Sequence, residues 1–187
     1  MGGIYRTFMV DPLGALTPDL ASKIQSQLAV LFSPVVGTNN FFENNWVFFN
    51  PTAAAPTAHE LLVYFMPTGT SIVKKVPNLN QAPDVTIPGS TIYQAGASEV
   101  RVTSTDATLL AKLAFHELMH NRLRQSDQQL HPQGGLASAT IYADTQLTTR
   151  NIKSMAAVLR NPITQWTQGI GILNSGKNDP LSEYYKV

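Results

Sequence analysis

Asp106-Ala107-Thr108-Leu109-Leu110-Ala111-Lys112-Leu113-Ala114-Phe115-His116-Glu117-Leu118-Met119-His120-Asn121-Arg122-Leu123-Arg124 contains neither Gly nor Pro, and its apolar residues recur at spacings of three and four. That period belongs to a helix with a buried stripe. Thr105 or Asp106 offers a side-chain oxygen to the first unpaired amides, and Arg122 and Arg124 complement the dipole at the other end. A helix is therefore expected over about 106–124. On it His116 and His120 lie one turn apart and project from the same face. Glu117 is rotated from His116 by about 100°, so it shares their surroundings without joining the pair.

Two imidazoles converging from one helix face are suited to a single metal ion, and a carboxylate beside them is suited to a water held by that ion. Zinc brings the pKa of such a water down to about 7 and polarises a peptide carbonyl. Glu117 then serves as general base, taking the water's proton and passing it to the leaving amine. The same letters also arise by chance on ordinary amphipathic helices. Here they stand among Leu113, Leu118 and Met119, where two His and a Glu are costly to bury without a compensating partner.

A catalytic zinc takes a third protein ligand, and the chain beyond the helix offers Asp127, His131, Asp144, Asp179 and Glu183. His131 is the preferred choice, because the run from Asn121 to Leu130 lets the helix end and the chain turn back. Its plain alternative is a surface His before Pro132. Asp127 comes second, chelating from a tighter turn, and Glu183 third, delivered by the C-terminal tail.

Composition removes the competing chemistries. There is no Cys among the 187 residues, which excludes disulfide frameworks, thiolate nucleophiles and Cys-ligated metals. Thirteen Lys and Arg against 12 Asp and Glu leave a net charge of +1, so no strong field points to nucleic acid or an anionic membrane. A carboxylate di-metal bundle needs a second Glu-x-x-His, and Glu117 to His120 is the single copy. No Gly-x-Ser-x-Gly elbow, P-loop or dinucleotide signature occurs. The start of the chain has no apolar run of the kind that marks a Sec signal, and no stretch reaches the roughly 18 apolar residues of a membrane span. The expectation is a soluble protein, either cytoplasmic or exported by another route, with no membrane or nucleic-acid partner.

Outward from the central helix, Ile4 to Val10 reads as a strand, and Thr17-Pro18-Asp19 opens a helix running to about Phe32, ahead of Pro34. Trp46 to Phe49 and Leu61 to Met66 read as strands; His59 and Glu60 open the second as a solvent-facing start. Residues 70–98 read as a long surface excursion with one short strand around Ile72-Val73. Glu99 to Thr103 alternates as a strand with one buried face. Leu136 to Asp144 is ambiguous, Thr148 to Arg160 is a second helix, and the tail from Ile163 to Lys186 is weakly patterned.

With His116, Glu117 and His120 in this order of elements, the chain resembles the zincin metallopeptidases, and among them the metzincins. The resemblance covers most of the chain in outline and five residues in motif. Metzincins place Gly three residues after the second His and a third ligand three later; this chain has Leu123 and Ser126 there. The resemblance implies a single α+β domain over residues 1–187, with a mixed twisted sheet, an active-site helix at about 106–124 and a second helix at about 148–160. It also implies a substrate bound as an added strand, for which residues 97–103 are the candidate edge. Tyr142, in Ser138 to Tyr142, would take the place of the Tyr that follows the family's Met-turn and assists the oxyanion. Met155 reads instead as the core face of a helix. The function expected is hydrolysis of a protein or peptide, with Zn2+ as cofactor. The alternatives are a non-catalytic zincin-like domain that binds metal or a partner, and a secreted effector or toxin peptidase with a narrow protein target.

Overall fold

The computed structural model describes residues 4–38, 41–46, 60–73, 80–92 and 97–160. The strand β1 (Ile4–Val10), the helix α1 (Pro18–Val36) and the strand β2 (Phe41–Trp46) form a βαβ unit, with β2 parallel to β1. On its other side β1 pairs in parallel with β3 (Glu60–Pro67). Beyond β3 lie β5 (Ala97–Val102), parallel to it, and β4 (Gly89–Ile92), antiparallel to β5. The strand order is β2-β1-β3-β5-β4, so the protein is α+β with a mixed five-stranded sheet. The helix α2 (Ala107–Leu123) follows β5 directly, and α3 (Asp127–Leu130), two single 3-10 turns and α4 (Thr149–Arg160) complete the described chain.

The central strands are covered on both faces: Leu62, Val63, Tyr64, Phe65 and Met66 of β3 are all fully buried. That explains a continuous apolar run where a half-exposed strand would alternate. α2 packs against α1, α4, β4 and β5, and buries nearly its whole circumference, from Leu110 to Arg122. Each large apolar side chain fully buried in this way contributes about 1.5–3 kcal/mol. Phe32 of α1 joins the layers, with its ring 4.5 Å from Phe42 and 4.9 Å from Phe115. Among the described residues, no helix is long and apolar enough to cross a membrane.

Several elements depart from the sequence reading. α1 passes through Pro34 to Val36. The missing amide falls in its last turn, and burial of Val35 and Val36 rewards the extension. β2 begins at Phe41 and ends at Trp46; residues 47–50 and His59 lie outside the described ones. Ile72 and Val73 are not a strand. They are buried in a loop whose amides point to the Glu99 carboxylate, at 2.8 and 3.4 Å.

β5 does not have a single buried face. Glu99 and Arg101 are as buried as Val100, because they form an ion pair at 2.8 Å that organises the preceding excursion. Glu99 also accepts from Ser71, and Arg101 donates to Thr70 O and to Ser90 Oγ. Burial raises the Glu99 carboxyl above its ordinary value, against the pull of Arg101 and Ser71. Removing one partner of such a pair costs about 3–5 kcal/mol. The edge assignment changes too: residues 97–102 are an inner strand, and the edge on that side of the described sheet is β4, hidden in sequence by Pro88-Gly89.

Candidate metal centre

α2 delivers His116, Glu117 and His120 as its period requires. Its N-cap is Asp106, whose carboxylate accepts from the amides of Thr108 and Leu109. The helix ends at Arg124, which adopts a left-handed conformation at φ 55°. There the chain reverses, and the Gln125 carbonyl accepts from His120 Nδ1 at 2.7 Å. α3 begins at Asp127, and His131 opens the 3-10 turn that follows it, His131–Gln133.

The three His come together. His120 Nε2 lies 3.1 Å from His116 Nε2 and 3.3 Å from His131 Nε2, and the candidate ligand atoms all fall within 4.8 Å of one another. Nitrogens bound to one tetrahedral zinc at about 2.0–2.1 Å stand about 3.3 Å apart, so these spacings suit such an ion. The protonation pattern suits it as well. His116 Nδ1 donates to the Leu136 carbonyl at 2.7 Å and His120 Nδ1 to that of Gln125. A carbonyl only accepts, so both protons sit on Nδ1 and both Nε2 atoms present lone pairs. Two lone pairs facing each other repel unless a cation lies between them. Burial drives the same way: it lowers the His116 pKa to about 4, with help from His120, and lowers that of His120. Both shifts favour the neutral ring, the form that a metal ligand takes.

Glu117 stands in the same cleft with its carboxylate held from β4. Thr91 Oγ1 lies 2.8 Å from both Glu117 Oε2 and the Glu117 carbonyl. Ser98 Oγ donates to that carbonyl at 3.3 Å and accepts from Asn121 at 3.1 Å. Gly89 makes the approach possible, since a Cβ there would come within 2.5 Å of Glu117 Oε1. Burial pushes the Glu117 pKa up to about 8, against the hydrogen bond from Thr91.

The other side of the site is built by the turn between α3 and α4. Gly134 and Gly135 both have positive φ, 72° and 59°, and a Cβ on Gly135 would come within 2.5 Å of Thr148 and 2.6 Å of Asn151. Buried Asn151 ties this turn down: its Oδ1 accepts from the amides of Leu136 and Thr148, and its Nδ2 donates to the Gly134 carbonyl. The Leu136 carbonyl so held is the one that receives His116 Nδ1.

The cleft measures about 850 Å³; Ile87, Leu113 and Ile141 give it apolar walls, and Glu117 and Asp127 are its acidic lining residues. Of the other candidates, Asp127 is at the site, 3.7 Å from two of the His rings. Asp144 is exposed elsewhere on the surface, and Asp179 and Glu183 lie outside the described residues. Tyr142 is not among the lining residues, and it is 64% exposed. Met155 is buried in the core. Thr91, Gly89 and Asn151 escape the sequence reading, because each meets its partner far along the chain: Thr91 and Gly89 at Glu117, and Asn151 at Gly134 and Leu136. No protein-family model matches the chain, and no curated protein matches it.

Proposed function

We propose that this protein is a zinc-dependent peptidase of the zincin type, with His116, His120 and His131 holding the metal and Glu117 as general base. One observation carries the reading: lone-pair-bearing imidazole nitrogens 3.1 Å apart in a cleft that also contains a buried carboxylate. A zinc ion bound there supplies Lewis acidity toward a water and the scissile carbonyl, and a positive charge that favours the ionised form of Glu117.

The remaining work falls to the chain's own groups. The carbonyls of Leu136 and Gln125 keep the two α2 imidazoles in the ligand tautomer and fix their planes. Thr91 orients the Glu117 carboxylate, which takes a proton from water and returns it to the leaving nitrogen. β4 is the last strand of the described sheet and Gly89, Ser90 and Thr91 line the cleft. An extended peptide added to that edge by main-chain pairing passes beside Glu117, with apolar side chains meeting Ile87, Leu113 or Ile141.

Hydrolysis of casein and of a mixed peptide library tests this. The Glu117→Gln variant is expected to keep its metal and to lose at least about a hundredfold in rate, the scale of general acid–base catalysis. Full activity in that variant overturns the role of Glu117. A zinc-loaded wild type that cleaves neither substrate favours a narrow-target or non-catalytic protein over a general peptidase.

A further inference from the structure

We propose that Asp127 is a fourth protein ligand of this metal centre, a carboxylate that closes over the ion and must be displaced before a substrate carbonyl can reach it. The inference rests on the metal reading above and adds a resident competitor to the site. His116 and His120 are spaced four apart on α2, and Asp127 and His131 are spaced four apart across α3. Each pair therefore presents its side chains on one face, one turn apart. The structure sets the two faces against each other. Asp127 Oδ1 lies 3.7 Å from His120 Nε2 and 3.7 Å from His131 Nε2, and those nitrogens are themselves 3.3 Å apart.

A carboxylate oxygen bound to zinc at about 2.0–2.2 Å stands about 3.4 Å from nitrogens on the same ion. Asp127 is thus within a few tenths of an ångström of ligand distance from two of the three His. The cap of α3 does not use its carboxylate. The first turn is capped by Ser126 and Gln129, with the Ser126 amide donating to Gln129 Oε1 at 3.0 Å. The charge balance argues the same way: three neutral imidazoles leave both charges of a dication uncompensated, and Glu117 and Asp127 are the two acids lining the cleft. Glu117 is buried and engaged by Thr91. The Asp127 side chain is 80% exposed, so it can rotate onto the ion and off it without disturbing the core.

A displaceable fourth ligand has opposite effects on affinity and access. With Asp127 engaged the metal is held more tightly, and an incoming ligand finds its position taken. The test is made on the full chain carrying Asp127→Ala or Asp127→Asn, with Asp144→Asn as the control for loss of an exposed acid. Three quantities are read: zinc affinity by chelator competition, the visible absorption of the cobalt form, and binding of acetohydroxamate to the metal-loaded protein.

Asp127→Ala is expected to weaken zinc binding at least about tenfold, to alter the cobalt spectrum, and to bind acetohydroxamate about tenfold more tightly. Asp127→Asn falls between, and Asp144→Asn behaves as wild type. Zinc affinity unchanged within about twofold, with superimposable cobalt spectra, overturns the proposal. These readouts do not need turnover. A wild type that shows the Asp127 dependence but cleaves neither casein nor the peptide library overturns the general-peptidase reading and supports this one; failure of the wild type to take up metal overturns the centre and Asp127's role with it.

Discussion

Glu117 and His116 are neighbours whose burial acts in opposite directions. In metal-free protein the Glu117 pKa is raised from 4.5 to about 8 and that of His116 lowered from 6.5 to about 4. Between pH 4.5 and 6.5 the folded chain keeps the Glu proton that the unfolded chain has lost and refuses the His proton that the unfolded chain has gained, so the two slopes oppose each other. Above pH 6.5 the His116 contribution is complete, and the slope belongs to Glu117, with Glu99 raised in the same direction. There the folded state binds more protons than the unfolded one, and stability falls as pH rises toward 8. Urea denaturation in the presence of a chelator is expected to show a loss of about 1–2 kcal/mol across that window, and Glu117→Gln is expected to remove most of it. An equal loss in the variant would mean that another group titrates.

At the scale of elements, the site is a helix read by its period and a turn held by a partner far along the chain. The period placed His116, Glu117 and His120 on α2 because an i, i+4 relation is local and needs nothing beyond the helix. Loop length favours His131 as the third ligand, and the structure brings it to the other two His through the reversal at Arg124 and the short helix α3. What stayed hidden was held by non-local contacts. β4 is a strand because β5 pairs with it and Arg101 reaches Ser90, while Pro88-Gly89 signals only a break. Ile72-Val73 looks like a strand by composition, yet its amides serve the Glu99 carboxylate. Asn151 belongs to this class: it lies 15 residues from Leu136 and controls the carbonyl behind His116. Asn151→Ala is expected to lower zinc affinity about tenfold, measured by chelator competition, as loss of a group that orients a ligand does. Asn151→Asp keeps the acceptor for Leu136 and should recover part of it. Wild-type affinity in Asn151→Ala would reduce Asn151 to a fold-stabilising role.

Across the whole molecule, the core and the site share their supports. The buried layer between α1, α2 and the sheet fixes the helix that carries two His, and the Glu99–Arg101 pair fixes the excursion that carries Thr91 and Gly89 to Glu117. A low net charge and the absence of Cys leave His and carboxylate as the donors for a metal, and the fold gathers three of the four His in the chain at one point. Metal that binds the folded state alone stabilises it by about 2.7 kcal/mol when free metal is a hundred times its dissociation constant. The most direct test is therefore elemental analysis of the full chain purified without added metal, before and after reloading with zinc. About one zinc per chain, lost in His116→Ala and in His131→Ala, is the predicted result; fewer than about 0.1 zinc per chain that cannot be restored by reloading would contradict it.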